Sequence, residues 1–209
     1  TLGNKMARKA KVKAGRVSMQ DLMGLVNKKA GRNVAHDLTG DNPTEVKEWI
    51  PTGSRWLDSI VCKGRRAGIP VGKVTEIAGL ESTGKSYMAA QIAANAQKQG
   101  KIVVYFDSES AIDPNFLEQA GCDLSSLMYI QASSVEFVLE TIEELIGATS
   151  EKILFIWDSL AFTPAISDVE GDFNPQSSMA MKARILAKGM SKLVIPIADQ
   201  QATLLVLNQ

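Results

Sequence analysis

The feature that most constrains this chain is one eight-residue run, Gly79-Leu80-Glu81-Ser82-Thr83-Gly84-Lys85-Ser86. It fits G-x-x-x-x-G-K-[S/T], and its flanks agree with it. Residues 71–78 (VGKVTEIA) read as a strand entering a glycine turn, and residues 85–98 (KSYMAAQIAANAQK) as a helix closed by Gly100. In that order, the glycines let successive backbone N–H groups turn inward, the helix N-terminus adds its positive dipole end, and Lys85 adds a full charge. Such a nest suits a polyphosphate, with Lys85 at the β/γ-phosphates and the Ser86 hydroxyl on Mg²⁺. The expected nucleotide contacts are Gly79, Leu80, Glu81, Ser82, Thr83, Gly84, Lys85, Ser86 and the adjoining aromatic Tyr87.

The alternation of strand and helix continues. Residues 101–107 (KIVVYFD) read as a second strand, and Asp113-Pro114 as an N-cap with proline at the first helical position. A weaker strand over 128–131 follows, then a capping box of Ser133 and Glu136 ahead of a helix carrying Val135, Val138, Ile142, Leu145 and Ile146. Residues 153–157 (ILFIW) form a fully apolar strand, 163–178 a polar loop, 179–194 a helix and 203–207 (TLLVL) a last strand. Strands separated by helices of this length predict an α/β fold. Its mostly parallel sheet is flanked by helices on both faces, and ligands bind beyond the carboxyl ends of the strands. Ahead of this core, Ser18 and Asp21 open a small amphipathic N-terminal helix with Met19, Leu22, Met23 and Val26 on one stripe, and residues 36–43 (HDLTGDNP) read as a linker. The expected organisation is a basic head over 1–17, an amphipathic helix and linker over 18–45 that must dock on the main body or on another molecule, and a nucleotide-binding core over 46–209.

Charge and cysteine usage narrow the class. The chain has 23 Lys+Arg against 23 Asp+Glu, yet residues 1–35 hold nine basic side chains and one acid, so a +8 head is balanced by −8 elsewhere. The head reads either as an arm for nucleic acid or an acidic surface, or as a solvated terminus. No apolar run approaches the ~20 residues of a membrane span. Cys62 and Cys122 lie 60 positions apart without metal-ligand spacing, which suits reduced thiols in a cytosolic protein.

A second nucleotide element is expected at the tip of another buried strand, where an acid holds the metal through its water shell. Asp158, after ILFIW and 73 residues beyond Lys85, fits. Hydrolysis also needs a group that orients or deprotonates water. The residue after Asp158 is Ser159, so that group lies elsewhere. Glu109, just past the KIVVYFD strand, is one candidate, and from position alone it reads equally as a solvated loop acid.

Taken in order, GLESTGKS, YFDSESAIDPNFLEQAG, ILFIWDSLAFTP and LLVLNQ resemble the RecA family of ATP-dependent DNA recombinases, and most resemble its bacteriophage UvsX-like branch. The likeness covers roughly residues 46–209 and implies a P-loop NTPase core of the RecA type. It implies that Glu109 is the catalytic glutamate, acting with Lys85, that Asp113 and Phe116 hold the adenine, and that Gln209 senses the γ-phosphate. It also places a first DNA-binding loop over 168–178 (DVEGDFNPQSS), whose acids Asp168, Glu170 and Asp172 cannot supply phosphate affinity. Phe173 or Met179 as an apolar wedge, with Lys182 and Arg184 nearby, are the expected contacts. Packing under the loop is an equal reading of Phe173 and Met179.

The function so implied is strand exchange: ATP- and Mg²⁺-dependent filaments on single-stranded DNA align it with homologous duplex DNA in the cytoplasm of a bacterial or phage-infected cell. Ile50 is the expected interface side chain. The family's second DNA-binding loop and its interface lysines follow the position matching Gln209, so these residues alone are expected to bind nucleotide and hydrolyse it poorly. The alternatives are a nucleotide-binding mediator without turnover and a small-molecule P-loop kinase. Residues 159–178 contain no arginine for a kinase lid.

Overall fold

The computed structural model describes residues 17–39, 45–64, 67–170 and 175–209. The basic head up to residue 16, Phe173, and the Met179 side chain lie outside the described residues. The chain divides into two units, Thr1–Glu45 and Val46–Gln209. In the first, helix α1 (Met19–Ala30) begins with the expected capping box: Ser18 Oγ accepts the Asp21 N–H, while the Asp21 carboxylate accepts the Ser18 N–H at 3.1 Å. It ends at Gly31, whose φ of 67° suits a residue without a side chain. Asn27 then folds the following segment back, its Oδ1 accepting the N–H groups of Val34 (2.8 Å) and Ala35 (2.7 Å). None of the residues of α1 is buried.

The second unit opens with an antiparallel pair, β1 (Trp49–Ile50) and β2 (Ile69–Pro70), enclosing helix α2 (Arg55–Val61). The turn before β2 needs glycine. Gly68 has φ 96°, and a Cβ there would stand 2.2 Å from the Ile50 carbonyl oxygen. Ile50 itself is fully buried in the core of its own chain, so it has no free surface for a neighbour. The expectation of Ile50 as an interface residue is thereby corrected: its side chain is part of the core beneath α3, and Ile50→Asp would disrupt the fold.

The central sheet contains β3 (Val74–Ala78), β4 (Ile102–Asp107), β5 (Leu127–Gln131), β6 (Ile153–Asp158) and β7 (Thr203–Asn208) in the order β3-β7-β6-β4-β5, with every ladder parallel. The helices between them are α3 (Lys85–Lys98), α4 (Pro114–Gln119), α5 (Val135–Ala148), α6 (Ile166–Glu170) and α7 (Pro175–Gln200). Because side chains alternate along a strand, one face presents Val103, Tyr105, Leu154, Ile156, Leu205 and Leu207 to α3, whose alanines permit close approach. The other presents Val104, Phe106, Phe155, Trp157, Leu204 and Val206 to α5 and α7. Burial on both faces explains why the central strands read as continuous apolar runs.

Several boundaries differ from expectation, among them the end of α7, which runs to Gln200 rather than stopping at 194. The N-cap of α5 is Ser134, which accepts the Phe137 N–H at 3.1 Å, and Glu136 instead accepts the Ile166 N–H at 3.0 Å. The N-cap therefore sits one residue later than expected and no capping box forms, because the Ser-Ser pair offers two hydroxyls, the N3 residue is Phe137, and tertiary contact with α6 claims the glutamate. The polar stretch 163–178 is not all loop: α6 and the start of α7 lie within it. Asp168 accepts the Ala165 N–H at 3.1 Å, a local turn that opens α6, and Pro175 supplies a helical φ where α7 begins.

Candidate nucleotide-binding site

The carboxyl ends of the sheet strands converge on one side of the second unit. After β3, the Gly79 N–H donates to Asn208 O (3.2 Å), fastening the glycine-rich loop to β7. The loop passes through left-handed backbone at Ser82 (φ 57°) and Gly84 (φ 89°). Gly84 is the N-cap of α3 and provides no side-chain cap, so the first N–H groups of α3 remain available to an anion. Lys85 Nζ donates to Gly79 O (2.7 Å) and Leu80 O (2.8 Å), which carries its charge across the loop.

A cleft of about 510 Å³ is lined by this loop from Glu81 to Tyr87 together with Glu109, Phe116, Asp158, Ser159 and Gln209. An adjoining hollow of about 380 Å³ is lined by Ser86, Asp107, Ile112, Asp113 and Asp158, among others. Four segments far apart in sequence thus meet at one place. Phe116 is half-buried and meets Tyr87 edge to face, with ring centroids 5.9 Å apart, which leaves aromatic surface beside the loop for a planar base. Asp113 caps α4 by accepting the Asn115 N–H at 2.9 Å.

The acids are held unequally. Asp107 and Asp158 are register partners at the ends of β4 and β6. Asp107 is buried and fully engaged: Oδ1 accepts the Glu109 N–H (2.9 Å), and Oδ2 accepts the Ile112 N–H (3.1 Å) and the Tyr129 hydroxyl (3.1 Å). Asp158 is half-buried, and its Oδ2 accepts the hydroxyl of the fully buried Tyr105 at 2.8 Å. Burial first, and then the charge and hydrogen bond of Asp158, push the Tyr105 phenol well above its usual 10.0, so it stays a donor. Among the described residues, no group of three or more His, Cys, Asp or Glu side chains could hold a metal alone. The hollow does place oxygen atoms of Ser86, Asp107, Glu109, Asp113 and Asp158 around one space, and of these Ser86 Oγ and the half-buried Asp158 carboxylate are the pair expected to share a cation with phosphate and water.

A family model for the RecA N-terminal domain matches residues 17–209. The chain belongs to the RecA family. Protein RecA of Bifidobacterium breve is 33% identical over 194 residues, 93% of this chain and 48% of that protein. Protein RecA of Colwellia psychrerythraea is 34% identical over 170 residues (81% and 48%), and that of Aquifex aeolicus 32% over 184 residues (88% and 52%). The chain spans about half the length of these relatives.

In this RecA-family chain the expected phosphate, base and acid positions lie around one cleft, whereas of the expected DNA contacts only Lys182 and Arg184 fall among the residues whose side chains are described. Arg184 is exposed, but Lys182 donates to Ala161 O at 2.8 Å, and burial lowers its pKa against the opposing charge of Asp168. Its ammonium is committed to the chain's own backbone. Tyr105, Asp107, Ser108, Tyr129 and Ser159 are site residues that motif reading passes over. One signal was available: KIVVYFD ends an apolar strand in an acid, the pattern that singled out Asp158. Among the described residues, no helix is long and apolar enough to cross a membrane.

Proposed function

We propose that this chain is the nucleotide-binding core of an ATP-dependent strand-exchange protein of the UvsX-like branch, working as a filament on single-stranded DNA in the cytoplasm of a bacterial or phage-infected cell. The observation that carries this reading is the single cleft in which the glycine-rich loop, Glu109, Asp158 and Gln209 all face one another. Lys85 and the loop N–H groups bind the phosphates, while Ser86 and Asp158 hold Mg²⁺, which would neutralise charge on the β- and γ-phosphates. Glu109 orients the attacking water and accepts its proton. Gln209, on the residue after β7, reports the γ-phosphate to the segments that meet DNA. Phe116 and Asp113 receive the adenine. The apolar stripe of α1, with Met19 72% and Leu22 48% exposed, offers a surface to the next copy in the filament.

The reading is tested on the full-length protein by measuring ATP hydrolysis with and without single-stranded DNA, for the wild type and Glu109→Gln. DNA-stimulated turnover is expected to fall about a hundredfold or more in the variant, with fluorescent ADP analogue affinity retained. Undiminished turnover in Glu109→Gln would remove Glu109 from the reaction. Phosphoryl transfer to a metabolite without DNA would replace strand exchange with kinase chemistry, and no turnover in either protein would point to a mediator.

A further inference from the structure

Glu109 is exposed and lies on a loop, so neither burial nor strand pairing fixes its carboxylate. Two groups from neighbouring strand ends do. Behind it, Asp107 Oδ1 accepts its N–H at 2.9 Å; in front, Ser159 Oγ donates to its Oε1 at 3.3 Å. Ser159 is only 2% exposed and is itself fastened on both sides of its side chain. Its N–H donates to Ser108 Oγ at 2.9 Å, and its carbonyl accepts the Thr163 hydroxyl at 2.8 Å. Thr163 Oγ1 in turn accepts the buried Trp157 indole N–H at 2.8 Å. The Ser159 hydroxyl is therefore presented from a rigid frame to a side chain that has no frame of its own.

We propose that Asp107 and Ser159 are positioning residues that hold Glu109 at its two ends, Asp107 through the backbone and Ser159 through the carboxylate. The proposal rests on the assignment of Glu109 as the water-orienting group. The Ser159 hydrogen bond restricts the carboxylate to the rotamers that face the cleft and leaves its second oxygen free for water. Asp107 sets the direction in which the loop leaves β4, and because Oδ2 also binds the Ile112 N–H, the same carboxylate shapes the approach to Asp113 and Phe116. Misplacement of a catalytic group by an ångström can cost on the order of a hundredfold in rate. Partial loss of orientation should cost less.

The test is a double-mutant cycle on the full-length protein, combining Ser159→Ala with Glu109→Ala and reading single-turnover hydrolysis of radiolabelled ATP on single-stranded DNA. Ser159→Ala alone is expected to lower the rate about tenfold, with fluorescent ADP analogue affinity within twofold of wild type and an unshifted melting temperature. In the Glu109→Ala background it should cause no further loss. The same loss in both backgrounds, or a matching fall in nucleotide affinity, would overturn the proposal while leaving Glu109 in its role. If Glu109→Ala alone hydrolyses ATP at the wild-type rate, the underlying assignment fails and the positioning role goes with it.

Discussion

Tyr105 shows how one hydroxyl can matter to this site. Its ring is part of the core, packed with α3 and the sheet, and its oxygen reaches the half-buried carboxylate of Asp158. Tyr105→Phe keeps the ring and leaves that carboxylate oxygen short of a donor, which should cost about 1.5–3 kcal/mol in a urea titration, because the lost bond is to a charged acceptor. The pH dependence follows from the raised phenol pKa. Below pH ~10, the ordinary tyrosine value, both folded and unfolded chains keep the proton and stability does not respond. Above it the unfolded chain releases a proton that the folded chain retains, so stability falls as pH rises. Tyr105→Phe should lack this alkaline decline. An equal decline between pH 10 and 11 in both proteins would assign it to another group.

Among the elements, β1 and its flanks show most clearly where sequence patterns ran out. The strand has two residues, too few for a period to register, yet Ile50 within it is fully buried and the segment is fixed by long-range contacts. Glu48, just before it, forms ion pairs with Lys101, 2% exposed and next to β4, and with Lys152, next to β6. Partners so distant in sequence leave no local trace, as is also true of Ser159 and Glu109. The long central strands were legible because burial on both faces writes an apolar run, and the glycine-rich loop because phosphate binding demands fixed residue types at fixed spacing. Asp107 was visible as a strand-end acid, but its role depends on Tyr129 and the Ile112 N–H, which only the fold brings near. Burial favours the neutral form of Glu48, but the hydrogen bonds and charges of both lysines outweigh it and hold the carboxyl below 4.5. A depressed carboxyl stabilises the fold above its unfolded value, and that contribution disappears as pH falls through the folded value. Glu48→Gln should therefore cost about 2–3 kcal/mol at pH 7, since it removes the only carboxylate paired with the buried Lys101 ammonium among the described residues and leaves it Gln99 Oε1 as a neutral acceptor, and the difference should close in acid below pH 4.5. A gap that stays constant down to acid unfolding would show that packing, rather than charge, carries the contribution.

For the whole molecule the decisive quantity is the distribution of charge. A formal charge of −8 over residues 36–209, three acids in the segment 168–178 proposed to meet DNA, and a Lys182 ammonium bound to Ala161 O together give this part of the chain little standing attraction for a DNA backbone. If the protein acts on DNA as proposed, affinity must come from many copies engaging one strand, with ATP in the cleft selecting the assembled form. Binding of the full-length protein to labelled oligo(dT), followed by anisotropy near physiological salt, should then be sigmoidal in protein concentration. It should weaken by about a hundredfold when ATP is omitted, the scale on which linked sites gain avidity. Replacing the six basic residues of positions 1–16 by glutamine separates the head from assembly. If the head is an arm for nucleic acid, the slope of log affinity against log salt becomes shallower while the response to ATP persists. Hyperbolic, nucleotide-independent binding by the wild type would mean instead that single molecules hold DNA unaided, and the balance of charge between head and core would need another explanation.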